Sequence, residues 1–130
     1  MDPLQLEGTS KTPYVQFDPA SGNLTLKGRS IPENSIDFYK PLIDWVDRYG
    51  RTAAGKTVLS VQLEYFNTSS SKCILDLFKK LEGIRAQGNE VNVLWHYEED
   101  DEDMLEAGED YAGIINVPFR MVQIEELDGQ

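Results

Sequence analysis

The 130-residue chain holds one cysteine, Cys73, and one histidine, His96. A single thiol excludes an internal disulfide framework. One cysteine with one histidine cannot furnish a structural zinc set, and neither a metal site nor a cofactor is assigned to the chain. Basic residues are also scarce: 12 Lys and Arg stand against 23 Asp and Glu, for a net charge of −11. Nucleic acid and anionic membrane surfaces both require a basic footprint, so neither is an expected partner. No apolar run approaches bilayer-spanning length, which argues against direct membrane insertion. Met1-Asp2-Pro3-Leu4 lacks the basic start and apolar core of a secretory leader, so a cytoplasmic protein is expected. Internal repeats and linkers are absent, and 40% apolar residues suffice for one core of ordinary size. One domain over 1–130 is expected, with 1–11 and 126–130 loosely ordered apart from a short edge strand near Leu4–Leu6.

What is present is an alternation of strand and helix patterns. Tyr14-Val15-Gln16-Phe17 and Asn23 to Gly28 read as a hairpin around Asp18-Pro19-Ala20-Ser21-Gly22, with Pro early and Gly late in the turn. A helix is predicted over about 34–49, with Ile36, Tyr39, Ile43 and Val46 as its core stripe and Phe38, Leu42, Trp45 and Tyr49 beside it. In the strand 57–66, Leu59, Val61, Leu63 and Tyr65 share one face, and Ser60, Gln62 and Glu64 the other. Val91, Val93, Trp95 and Tyr97 repeat that alternation, which predicts one covered and one wetter sheet face. A helix over about 70–87 places Ile74, Leu77, Phe78, Leu81 and Ile84 on one side and stops at Gly88. A third helix over about 101–112 and a strand 119–124 complete the chain. The expected fold class is α/β, a small mixed sheet with about three helices mainly on one face and parallel pairing in the second half.

Three apparent motifs lose to simpler readings. Gly50-Arg51-Thr52-Ala53-Ala54-Gly55-Lys56-Thr57 fits the phosphate-loop pattern, but that loop must leave a strand and enter a helix, and here the order is reversed. The acidic run Glu98 to Asp103 invites a divalent metal or small ligand, and that is the alternative function carried forward. Its spacing is not that of a calcium loop, and acids at a helix start are favoured by the helix dipole alone. Cys73 and His96 resemble a thiolate–imidazole pair without an orienting third group; a packed thiol and a sheet-face imidazole are expected instead. No catalytic residue is assigned, and the chain is expected not to be an enzyme.

Tyr65-Phe66-Asn67-Thr68-Ser69-Ser70-Ser71-Lys72 remains. A strand ends and a helix begins here, so Asn67, Thr68 or Ser69 is expected to cap the first turn. A phosphate at that point would face free amides and the positive end of the helix dipole, with Lys72 one turn on. Together with Gly8-Thr9, Thr12-Pro13, Pro32-Glu33-Asn34-Ser35, Asp44-Trp45-Val46 and Trp95-His96-Tyr97, this segment resembles the SiaC-type regulatory phosphoproteins, bacterial partner-switch proteins with a fold like that of STAS-domain anti-sigma factor antagonists. The resemblance covers nearly the whole chain. It implies that Thr68 is phosphorylated by a Ser/Thr protein kinase and dephosphorylated by a PP2C-like phosphatase, with Asn67, Ser69, Ser70 and Lys72 around it. It further implies that the unphosphorylated form binds and activates a diguanylate cyclase, controlling cyclic di-GMP, and that phosphorylation breaks that complex.

Overall fold

A computed structural model describes residues 1–125. The expected loose tail, 126–130, lies outside the described residues. The elements run β1 (Leu4–Leu6), β2 (Tyr14–Phe17), β3 (Asn23–Ser30), α1 (Ser35–Tyr49), a 3₁₀ turn (Gly50–Thr52), β4 (Lys56–Phe66), α2 (Thr68–Ala86), β5 (Glu90–Glu98), α3 (Glu102–Ile114) and β6 (Phe119–Ile124). They form one six-stranded mixed sheet in chain order. β1, β2 and β3 are antiparallel, whereas β3 to β6 are mutually parallel. Each parallel pair needs a crossover, and the three helices supply them. Within the N-terminal segment, β1 pairs with β2, and the Trp45 indole donates to the Asp2 carbonyl at 2.9 Å.

The covered face carries Val15, Phe17, Leu24, Leu26, Leu59, Val61, Leu63, Val91, Val93 and Trp95, all buried. The opposite face, with Thr25, Ser60, Gln62, Asn92 and His96, is only partly covered, as the alternation predicts. α2 buries Ile74, Leu77, Phe78, Leu81 and Ile84 against the sheet and ends where Gly88 adopts φ +98°. That left-handed conformation favours glycine.

In α1 the expected stripe is corrected. Tyr39, Leu42, Trp45, Val46 and Tyr49 are buried, Ile43 is half-buried, and Ile36 is 72% exposed. Ile36 lies in the first turn of α1, outside the buried row of Ser35, Tyr39, Leu42, Val46 and Tyr49. Tyr65 is likewise exposed rather than aligned with Leu63. Along the β3–β4 pair, β3 advances one residue, Gly28 to Arg29, while β4 advances two, Leu63 to Tyr65. The extra residue, Glu64, is a bulge that flips the alternation, turning Tyr65 outward and Phe66 inward.

At the far side of the core, Trp95 lies within 5.4–6.4 Å, ring centre to ring centre, of Phe66, Phe78, Tyr111 and Phe119. α3 reaches this cluster through Gly108, where an added methyl carbon would sit 2.5 Å from the indole Cδ1 and 2.9 Å from the Met121 sulfur. We expect Gly108→Ala to cost about 1–3 kcal/mol through overpacking. A thermal melt should read that as a Tm lowered by roughly 3–10 °C. An unchanged Tm would mean that α3 is free to shift outward.

The phosphoacceptor candidate at the β4–α2 junction

The start of α2 is built by its own side chains. Asn67 is the N-cap: its extended backbone ends β4, and its carboxamide oxygen accepts from the Ser70 amide at 2.9 Å. Its backbone carbonyl accepts from the Ser71 amide at 3.0 Å. Of the three expected capping candidates, Asn67 holds the position, and the helix begins at Thr68, two residues before the predicted start. The Asn67 amide in turn donates to the Ser30 carbonyl at 3.0 Å, pinning the junction to the end of β3.

Below the cap lies a network of hydroxyls. Ser70 is fully buried and hydrogen-bonds to the Ser30 hydroxyl (2.9 Å), the Ser30 carbonyl (3.1 Å) and the Ser35 hydroxyl (3.3 Å). Ser30 pairs with the Tyr39 phenol at 2.6 Å, and Ser35 with the Ser69 hydroxyl at 2.7 Å. Ser69 also donates to the Asn67 carboxamide at 3.2 Å. Thus the ends of β3 and β4 and the starts of α1 and α2 share one set of hydrogen bonds. A buried hydroxyl without a partner costs about 1–3 kcal/mol, so the set specifies this junction tightly. Ser30, Ser35 and Tyr39 were invisible to pattern reading as members of this site. Their signal, a serine at each end of Ile31-Pro32-Glu33-Asn34, says nothing about burial.

Thr68 stands outside the network. Its side chain is exposed and makes no hydrogen bond to any described residue. Lys72, four residues on, and Leu75, seven on, share its helix face. The structure therefore gathers Asn67, Ser69 and Ser70 into one fixed cap, with Thr68 and Lys72 presented to solvent above it.

The other candidates separate. Cys73 is buried among the helices, and burial pushes its thiol pKa up. His96 sits on the open sheet face and bonds the Val61 carbonyl at 3.0 Å, so the two never meet. The phosphate-loop segment follows α1 and leads into β4, the reversed order expected from the sequence. In the acidic run, Asp101 caps α3 by accepting from the Met104 amide at 3.0 Å, and Glu102 and Asp103 occupy its first turn. Among the described residues no group of three or more His, Cys, Asp or Glu is placed to hold a metal ion. Nor is any helix among them long and apolar enough to cross a membrane.

Two tyrosines bracket α2. Tyr39 bonds Ser30, and the Tyr111 hydroxyl donates to the Ser71 carbonyl at 2.8 Å. Burial raises the Tyr39 pKa above the usual phenol value of 10.0 and lifts that of Tyr111 to about 12. A folded pKa above the unfolded one means that the native state holds its protons longer. Stability is then complete below pH 10 and falls as the pH rises toward the folded values. We expect denaturation midpoints to fall above pH 10, with the fall reduced in Tyr111→Phe. A fall of equal size in that variant would contradict the assignment.

Comparison with known proteins places this geometry. Residues 6–124 match the SiaC family, the "SiaC family regulatory phosphoprotein". An uncharacterised protein of Pseudomonas aeruginosa strain UCBPP-PA14 is 34% identical over 126 residues, covering 97% of this chain and all of that protein. The crystal structure of apo-SiaC from Pseudomonas aeruginosa is 34% identical and superposes with a TM-score of 0.86, covering 94% of this chain and 99% of that one. SiaC in the crystal structure of the diguanylate cyclase SiaD with its activator SiaC, from the same organism, gives a TM-score of 0.88 at 34% identity, with 93% and 99% covered. A match over nearly the whole chain, in sequence and in fold, makes this protein a member of the SiaC family of regulatory phosphoproteins, with a regulatory and not a catalytic role.

Proposed function

We propose that this chain is a phosphorylation-controlled activator of a diguanylate cyclase, with Thr68 as the switch. The observation that carries the reading is the contrast within one helical turn. Ser69 and Ser70 spend their hydroxyls on the capping network, whereas Thr68 presents an unengaged hydroxyl at the first position of α2. A phosphate on Thr68 leaves that network whole. The Ser70 and Ser71 amides are held by Asn67, so the Thr68 and Ser69 amides, at the positive end of the helix, are the ones a phosphate would meet. Phosphorylation then changes surface charge by nearly two units without a need to unfold the domain. The relative SiaC activates the cyclase SiaD. By analogy, the unphosphorylated form here binds and activates its cyclase, and the phosphorylated form releases it. A Ser/Thr kinase and a PP2C-like phosphatase set the balance, and cyclic di-GMP is the partner's product rather than a ligand of this chain.

The test is intact-mass analysis after incubation with the host's cognate kinase. Wild type should gain one phosphate, and Thr68→Ala none. Full phosphorylation of Thr68→Ala would overturn the assignment.

A further inference from the structure

The hydrogen bonds at the start of α2 acquire directions once their protons are counted. A hydroxyl has one proton to donate and two lone pairs with which to accept. Ser69 donates its proton to the Asn67 carboxamide oxygen at 3.2 Å. The 2.7 Å bond between Ser69 and Ser35 must then run the other way, with Ser35 donating. Ser70 donates to the Ser30 carbonyl and accepts from the Ser30 hydroxyl, so its 3.3 Å contact with Ser35 is the longer arm of the same Ser35 proton. Ser35 is available for this because Asn34 caps α1, accepting from the Asp37 amide at 3.1 Å. At 4% exposure, the Ser35 side chain has little contact with water to compete.

This direction matters because Ser69 is exposed, as Thr68 is, and stands next to it. Exposure alone therefore does not choose between the two hydroxyls. Phosphoryl transfer from a nucleoside triphosphate forms a bond from the hydroxyl oxygen to the γ-phosphorus. It breaks the bond from that phosphorus to the diphosphate leaving group, and the hydroxyl proton passes to a base of the kinase. The Ser69 oxygen holds one lone pair on the Ser35 proton. Its own proton rests on an amide oxygen, too weak a base to remove it. To react, Ser69 must turn outward and break both bonds, whereas Thr68 breaks none. We propose that Ser35, 34 positions away in the sequence, is a specificity-determining residue: it latches the Ser69 hydroxyl and confines phosphorylation to Thr68. The choice of site is then made in part by the fold of the substrate. The role of Thr68 as the acceptor rests on the reading given above; the latch on Ser69 does not.

The test is site-resolved mass spectrometry of the full chain after timed incubation with the cognate kinase and a nucleoside triphosphate. Thr68→Ala should carry nothing above background at Ser69. Thr68→Ala combined with Ser35→Ala should exceed that background by roughly tenfold, the upper range for one lost hydrogen bond. Ser70, fully buried, should stay unmodified in both, which separates release of one hydroxyl from a general loosening. Independently of the kinase, NMR couplings between the Hα and Hβ protons of Ser69 should report one side-chain rotamer in wild type and averaging in Ser35→Ala. No gain at Ser69, averaged couplings in wild type, or phosphate on Ser70 in the double variant would overturn the proposal. Thr68 phosphorylated in wild type with no gain at Ser69 removes the latch and leaves the functional reading. Fixed couplings and a gain at Ser69, with Thr68 of wild type unmodified, leave the latch and remove the functional reading. Phosphate on Ser69 of wild type would overturn the latch outright.

Discussion

Phosphorylation of Thr68 is expected to weaken binding of the cyclase by about a hundredfold, equivalent to ~3 kcal/mol. The size follows from the chemistry at the start of α2. Thr68 is exposed, so the modified side chain displaces nothing in the core, and the free chain should unfold at nearly the same denaturant concentration. The whole effect then falls on the interface. A phosphate carries nearly two negative charges, and holding it within a contact that formed around a neutral hydroxyl costs several kcal/mol of desolvation. Thr68→Ala should bind like the unmodified chain and ignore the kinase. Thr68→Asp should fall between, because a carboxylate has one charge and a shorter reach. Calorimetric titration of the cyclase with each form reads all three. Equal affinity for the modified and unmodified chains would show that Thr68 lies outside the contact.

The second large effect concerns the core. Trp95→Ala should remove about 3–5 kcal/mol, a large part of the 5–15 kcal/mol that holds a domain of ordinary stability. Trp95 is fully buried among Phe66, Phe78, Tyr111 and Phe119, and its indole donates to the Met104 carbonyl at 2.8 Å. It is the point at which α3 meets the sheet. Trp95→Phe keeps much of the packing and loses only the indole hydrogen bond, since the carbonyl keeps its partner within α3, and should cost about 0.5–1.5 kcal/mol. Urea denaturation should rank wild type above Trp95→Phe above Trp95→Ala. Equal midpoints for the two variants would mean that the hydrogen bond, not the ring contacts, holds α3.

The fold was largely legible because its strands alternate cleanly and its helices carry regular stripes. Val91, Val93 and Trp95 point one way, and α2 buries each apolar residue that its spacing marks. The failures share a cause. The bulge at Glu64 inserts one residue in β4, a pairing event with no local sequence signal, and so Tyr65 faces outward and Phe66 inward. Ile36 obeys the helical period but falls outside the buried row of α1. At the candidate site, Asn67-Thr68-Ser69-Ser70 could be placed at a strand–helix junction, while its division of labour could not. That division depends on Ser30, Ser35 and Tyr39, brought from distant positions to engage Ser69 and Ser70 and leave Thr68 apart. The choice of Thr68 came from family resemblance, and the hydrogen bonds supply a physical reason for it.

The most direct measurement is the rate of cyclic di-GMP synthesis by the host cyclase, assayed alone, with the unphosphorylated chain, and with the chain stoichiometrically phosphorylated on Thr68. Stimulation by the unphosphorylated chain is expected, with loss of that stimulation in the phosphorylated form and its return after phosphatase treatment. Equal stimulation by both forms, or none by either, would contradict it.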